Sequence, residues 1–446
     1  MTDHPLLLDF PSVRQQSRAL LEKISRFFSD LNTAESRRYQ EQIAHQLNLV
    51  DRLELRMTIV APMKAGKSTI INALIGQELL PSHSAAMTTL PTEILFAPQR
   101  NEPVLRLGTS LVAACQETAS RIREQINRQG LDHALAQAGQ YPHLHNLITS
   151  LHEDFRIEEE IAGREQAVAM LTALNHLIRL AAVLTEQPAD LSQSEIPVLE
   201  TPFRHGSGIG DADADTDADA DEQHRFVLVD TPGPNEAGTH HLQALVDRQL
   251  EQSSLILIVL DFTQLKSAAA EEVKENVRQI AGLRGADNLY VLVNKIDQRD
   301  AQSMTAEEIR AFVAADLGIS NPEQVFEISA RQALAAASFL RELTDGPDDP
   351  SLSLPLAEMP AAQQLARQTL GLRWQERLHS ISKDDMEREA EYLWKLSGFP
   401  AFLDRAMHKL ILESPHRCLR TALQTGQNCL GEWRESNSPN CICNPG

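Results

Sequence analysis

Several short runs in this 446-residue chain place hydroxyl, ammonium and carboxylate groups where chemistry on an anionic ligand needs them. The first is Ala61-Pro62-Met63-Lys64-Ala65-Gly66-Lys67-Ser68-Thr69. It follows Thr58-Ile59-Val60, a β-branched run that predicts a short buried strand, and precedes Ile70 to Ile75, an apolar run at helical spacing. Ala61-x4-Gly66-Lys67-Ser68 is the phosphate-binding loop pattern, with alanine replacing its first glycine. Successive backbone N–H groups at a helix N-terminus form an anion cradle. Here Met63, Lys64, Ala65, Gly66, Lys67, Ser68 and Thr69 would supply it. Gly66 lets the backbone approach closely, Lys67 reaches β- and γ-phosphate oxygens, and the Ser68 hydroxyl suits Mg²⁺.

The second run is Met87-Thr88-Thr89-Leu90-Pro91. A loop threonine about twenty residues past such a lysine fits a switch that ligates Mg²⁺ when a γ-phosphate is present. Its flanking residues favour Thr88 over Thr89. The third is Asp230-Thr231-Pro232-Gly233, after the apolar Phe226 to Val229. Asp230 would hold Mg²⁺ through water, and the Gly233 N–H would meet the γ-phosphate. The fourth is Asn294-Lys295-Ile296-Asp297. The Asp297 carboxylate can accept from both N1–H and the 2-amino group of guanine, a donor pair that adenine lacks. Lys295 would lie along the base plane, and Asn294 would bridge loops. Last, Ser329-Ala330 follows a predicted strand over Gln324 to Ile328 and reads as the final loop over the base. All but the threonine sit at the C-terminal ends of predicted strands, where open α/β sheets bind ligands.

The elements that must position these groups are legible as periodicity. Residues 12 to 52 are helical, with stripes at Leu20, Ile24, Phe27, Leu31 and at Ile43, Leu47, Val50, broken at Asn32-Thr33. Two helices ahead of a strand need a partner, and another helical segment far along the chain is expected. Strands are predicted at 92–96, 104–107, 255–260 and 290–293. Ile196 to Phe203 and Arg225 to Val229 are expected to form a strand pair. The stretch 109–190 is expected to be a helical insertion that buttresses the core, a partner-binding surface being the alternative. Asp-Ala alternation over 211–221 cannot bury apolar surface and repels itself, so a disordered tip is expected. A calcium loop would need glycine and glutamate punctuation that this run does not have. Helical pattern resumes at Ala361 after a linker over 345–360 and breaks at Ser397-Gly398; a last helix runs from Leu403 toward Trp433, and 436–446 reads as a frayed tail. The fold class is therefore α/β, a mixed and mostly parallel sheet with helices on both faces. The expected division is 1–55, 56–345 with its insertion and an acidic loop near 205–223, 361–435, and the tail.

Composition narrows the partners. Net charge is −21, and the seven acidic residues in 211–222 leave −14 without them, which argues against a broad basic face for nucleic acid or anionic membrane. No apolar run approaches the roughly 18 residues of a membrane span. The start, Met1-Thr2-Asp3-His4-Pro5, carries no signal-peptide pattern. Five scattered cysteines fit a reducing compartment, and a cytoplasmic location is expected.

The chain resembles the bacterial dynamin-like GTPases through Lys64 to Ser68, Met87-Thr88, Asp230 to Gly238, Leu260 to Ser267 and Tyr290 to Lys295. The runs at 230–238 and 260–267 are most similar to the replication-fork-colocalising, sliding-clamp-binding subgroup. The resemblance implies a GTP-hydrolysing domain using Mg²⁺, a helical neck from both chain ends, a long stalk and nucleotide-dependent dimerisation. The chain stops where the neck would enter the stalk, so stalk-driven assembly is not expected, and membrane binding stays open. Some relatives carry serine at the position of Lys64 for a monovalent cation, and others an arginine finger. Lys64 is expected to fill that role with its own ammonium, so that no monovalent cation is needed. Pro234 stands where a water-orienting glutamine would follow Gly233, which leaves a scaffold that barely hydrolyses as the rival reading. His4-Pro5-Leu6-Leu7-Leu8-Asp9-Phe10 resembles a clamp-docking peptide, although an apolar flap packed on the neck is the favoured reading.

Overall fold

The computed structural model describes residues 10–62, 64–81, 89–97, 100–153, 156–185, 191, 194–202, 225–232, 246–250, 252–265, 267, 271, 274–275, 288–344 and 355–437. The acidic run, most of the 345–360 linker, the tail from 438 and residues 1–9 lie outside them.

Among the described residues, nine strands form one sheet: β1 Glu54–Val60, β2 Thr92–Phe96, β3 Val104–Arg106, β4 Glu160–Ala162, β5 Val198–Thr201, β6 Arg225–Asp230, β7 Leu255–Asp261, β8 Leu289–Asn294 and β9 Val325–Ile328. Their order is β4-β3-β5-β2-β6-β1-β7-β8-β9. From β6 to β9 every pairing is parallel. These strands are nearly continuous in apolar residues because helices cover both faces. β2 runs antiparallel to β6, with Thr92 opposite Asp230. That register brings the start of β2, and Thr89 to Pro91 before it, to the edge where β6 ends.

Two strand expectations need correcting. β5 and β6 are not a pair, because β2 lies between them, parallel to β5 and antiparallel to β6. Apolar alternation marks a strand but says nothing of its neighbour. β1 also begins earlier than Thr58. Glu54 and Arg56 are buried within it, since Arg56 donates to Glu54 (3.2 Å) and Gln249 (2.9 Å) and contacts Glu93. Charged residues that satisfy one another disguise a central strand.

The N-terminal helices are α1 (Phe10–Leu31) and α2 (Ala34–Arg52). Thr33 caps α2, its hydroxyl accepting from the Ser36 N–H and its own N–H donating to the Ser36 hydroxyl, which fixes the break. The expected distant partner is α12 (Ser414–Ser436): Leu21, Ile24, Phe28, Ile43, Leu419 and Ala422 make one apolar cluster. The α1 stripe is rotated from expectation. Leu21 and Phe28 are buried, whereas Leu20 is 50% and Phe27 37% exposed. Both sets have helical spacing, and only the position of α12 chooses between them. Ahead of α12 the last helix is not continuous, as a π-helical turn at Leu403–Met407 and a short helix at His408–Leu412 interrupt it.

The insertion comprises α4 (Thr109–Gln129), α5 (Leu131–Gln137), α6 (His145–Glu153), the edge strand β4, and α7 (Arg164–Leu184). It is therefore not all helix. Leu111, Ile122, Leu171 and Leu174 belong to the same apolar cluster as Ile59 of β1, which supports the buttress reading. Contrary to expectation, α7 is long and apolar enough to cross a membrane by length and composition, and half of that stretch is buried in the fold. After β8 come α8 (Ala306–Leu317), α9 (Ala330–Thr344), α10 (Pro360–Thr369) and α11 (Lys383–Leu396). Ala336, Phe339, Leu365 and Met386 pack these last three together.

Candidate nucleotide site

The phosphate end is assembled where β1 and β6 stop. α3 (Lys67–Ile75) starts at the loop lysine, so the first turn carries Lys67, Ser68 and Thr69. Gly66 has φ +95°, and a Cβ there would meet the Asn294 Nδ2 at 2.3 Å. Glycine is thus required twice over, by backbone conformation and by close approach. The Lys67 Nζ lies 2.8 Å from the Asp230 Oδ1, with side chains only 8% and 2% exposed. The Thr231 hydroxyl donates to the Ile59 carbonyl at 2.6 Å and holds the end of β6 to β1. A hydroxyl at a helix start and a buried carboxylate facing a lysine are hard oxygen donors of the type that Mg²⁺ takes. Ser68 and Asp230 therefore fit such an ion. Lys64 is exposed with φ +64°, a left-handed conformation that turns the loop ahead of Ala65. Met63, Thr88 and Gly233 lie outside the described residues. Thr89 is buried and committed: its N–H and hydroxyl donate to the Asn175 Oδ1 of α7 at 2.7 and 2.8 Å. That leaves Thr88 as the better candidate of the two.

The base end is assembled where β8 and β9 stop. Asn294 ends β8, and its carboxamide is used on both sides. Its Nδ2 donates to the Ala65 carbonyl (2.8 Å), and its Oδ1 accepts from the Ala330 N–H (2.9 Å). One side chain thereby joins the phosphate loop to the Ser329-Ala330 loop, the bridge expected of it. The Ser329 hydroxyl donates to the Asp297 Oδ1 at 2.6 Å. The Arg331 Nη2 reaches the Asp297 Oδ2 at 3.0 Å. Lys295, at φ +69°, sends its ammonium to the Asp261 Oδ2 at 2.6 Å. The Ser329 N–H donates to the Ser397 carbonyl at 2.8 Å, and a Cβ on Gly398 would strike the Glu327 carbonyl oxygen at 2.2 Å. The break after α11 is therefore seated directly on the base loop.

Asp261, Arg331 and Asn175 complete this arrangement without belonging to any of the motifs. Asp261 holds Lys295 and also accepts from the N–H and hydroxyl of Thr263 at 2.9 and 2.7 Å. An Asp-x-Thr pattern closing a buried strand is the sequence signal for it. Arg331 and Asn175 offer no comparable local signal, since their partners are distant in sequence. A polar cleft of about 640 Å³, lined by His45, Arg56, Glu93, Arg106 and Arg248 among others, lies away from these loops, near the start of β1.

A family model described as "Dynamin family" matches residues 57–295, more than half of the chain. The chain belongs to the dynamin family. Two curated proteins, both the clamp-binding protein CrfC of Escherichia coli, one of them from strain K12, are 32% identical to this dynamin-family chain over 398 and 404 residues. Each alignment covers 88% of the chain but 51% of the relative, so the chain spans about half the length of the curated relatives it matches. Among solved structures, a chain of an oligomerised bacterial dynamin pair, titled as long-range sensing and tethering of membranes, aligns over 96% of this chain and 51% of its own. At 13% identity and a TM-score of 0.36 it adds nothing to the assignment, which rests on the sequence match.

Proposed function

We propose that this chain binds GTP with Mg²⁺ and hydrolyses it to GDP and phosphate. The observation that carries the proposal is the Asn294 carboxamide, which ties the phosphate loop at Ala65 to the base loop at Ala330. It sets a two-acceptor carboxylate, Asp297, and a phosphate-loop lysine, Lys67, on one sheet edge. Asp297 would take the guanine N1–H and 2-amino donors. Backbone N–H groups from Met63 to Thr69 would cradle the phosphates, and Lys67 would neutralise their charge. Ser68, Asp230 and Thr88 would hold the metal. An Mg²⁺ ion held there would supply positive charge to offset what develops on the phosphate oxygens. Lys64, an exposed residue of the loop, would be pressed inward by dimerisation across the nucleotide face and would stabilise charge between the β- and γ-phosphates in place of a monovalent cation.

Multiple-turnover phosphate release, measured against enzyme concentration, tests this. Turnover per molecule should rise with concentration, and a flat dependence removes the dimer. Lys64→Ala should lower turnover about tenfold while leaving GTP affinity within about twofold, the mark of an interaction made mainly in the transition state. Parent-like rates in potassium-free buffer would reduce Lys64 to a loop residue.

A second reading is a nucleotide-gated scaffold that docks on a replication sliding clamp. The name of the relatives and the proline at position 234 favour it. Release of no more than one phosphate per chain would select it. Of the docking peptide, only Phe10 lies among the described residues. Its ring is 4.9 Å from His416 of α12, so clamp docking would have to draw it off the helices. A cytoplasmic setting belongs to the same proposal and is supported by Cys115, Cys418 and Cys429, all free and buried.

A further inference from the structure

Arg331 is the second residue of α9, and a cation in the first turn of a helix opposes the helix dipole. Its presence there does not serve the helix. Its guanidinium instead reaches the Asp297 Oδ2, while the Ser329 hydroxyl covers the Oδ1. The carboxylate is 8% exposed and the arginine 63%, so a buried acceptor is capped by a side chain free to swing away. The cap also has the chemistry of the expected ligand. A guanidinium is a planar N–C–N unit with paired N–H donors, and the N1–H and 2-amino edge of guanine is the same unit.

We infer that Arg331 is an internal competitor for guanine at Asp297, occupying the base site until nucleotide displaces it. This rests on the guanine reading of Asn294-Lys295-x-Asp297 given above. The competitor lowers apparent affinity by the fraction of molecules in which the carboxylate is open. An ion pair with one exposed partner is worth little, so that fraction is about one half to one fifth. Because the arginine must leave before the base docks, it acts on association and not on dissociation. It also makes the closed state sensitive to salt.

The test uses the full chain, a fluorescent GDP analogue and the variant Arg331→Gln. The variant should bind GDP about two- to fivefold more tightly at low salt. The gain should lie entirely in the association rate, with the dissociation rate unchanged. Parent and variant should converge as salt screens the pair. Thermal midpoints should agree to within about 1 °C, since the residue is exposed. Faster dissociation from the variant would overturn the inference, because Arg331 would then contact bound nucleotide. Equal association rates would overturn it as well. If the parent binds ATP as well as GTP analogues, the guanine reading fails first and the inference with it. If GTP is selected but the variant matches the parent, only the role of Arg331 fails.

Discussion

The two ends of the site are held by different forces. At the base end, one neutral carboxamide and short hydrogen bonds fix the loops to each other: Asn294 to Ala65 and Ala330, and Ser329 to Asp297. At the phosphate end, two buried opposite charges, Lys67 and Asp230, hold each other in the place where phosphate and metal would sit. The loops of the base end are therefore preorganised, and only the Arg331 cap on Asp297 has to leave. The phosphate end must exchange one electrostatic partner set for another when ligand arrives. A site built this way would meet a base with fixed loops and leave its phosphate end free to rearrange.

The largest effect should come from breaking the charged end. Lys67→Ala leaves the Asp230 carboxylate buried without its lysine, which costs about 3–5 kcal/mol of stability in urea unfolding without nucleotide. Adding Asp230→Asn should recover much of that loss. Simple additivity of the two changes would contradict the paired-charge picture. At the base end, Asp297→Asn removes a charge-assisted double acceptor and should weaken GTP binding by about 2 kcal/mol or more. Unfolding without nucleotide should move by less than about 1 kcal/mol, because the arginine partner is exposed. ATP competing as well as GTP against a labelled nucleotide would sink the assignment. Asn294→Ala strands the Ala65 carbonyl and the Ala330 N–H, and should cost about 1–3 kcal/mol in both stability and nucleotide affinity. Were only one of the two to change, the bridge between the ends would be disproved.

The smallest effect lies outside both ends and serves as a control. Burial, then the neighbouring charges of His143 and Arg179, pushes the His176 imidazole down from 6.5 to about 4. The fold prefers the neutral ring, so its contribution is complete above pH 6.5. It declines as pH falls from 6.5 to 4, where the unfolded chain takes up the proton and the native one does not. His176 is half-buried, so the change is below about 1 kcal/mol. The thermal midpoint of His176→Gln should fall less than that of the parent over this interval, with GTP affinity unaltered. Parallel curves would show that the imidazole is not responsible.

What could be known from sequence was local chemistry in order. Gly66-Lys67-Ser68, Asp230 and Asn294-Lys295-x-Asp297 declare themselves because each motif needs particular side chains at fixed spacing beside a strand end. The described ones stand at those strand ends. The parallel core was legible for the same reason, its strands being nearly unbroken apolar runs. Tertiary structure alone decided the rest. Whether α1 buries Leu20 or Leu21 depends on where α12 lies, almost four hundred residues on. The separation of β5 from β6 depends on β2 entering between them. The hold of Asn175 on Thr89 exists only because α7 lies against the start of β2. Lys295 found Asp261, and Asp297 found Arg331, only when β7, β8 and α9 were set side by side. A hydrogen bond or ion pair between separate segments leaves no periodicity in either one, because its geometry exists only after the chain has folded.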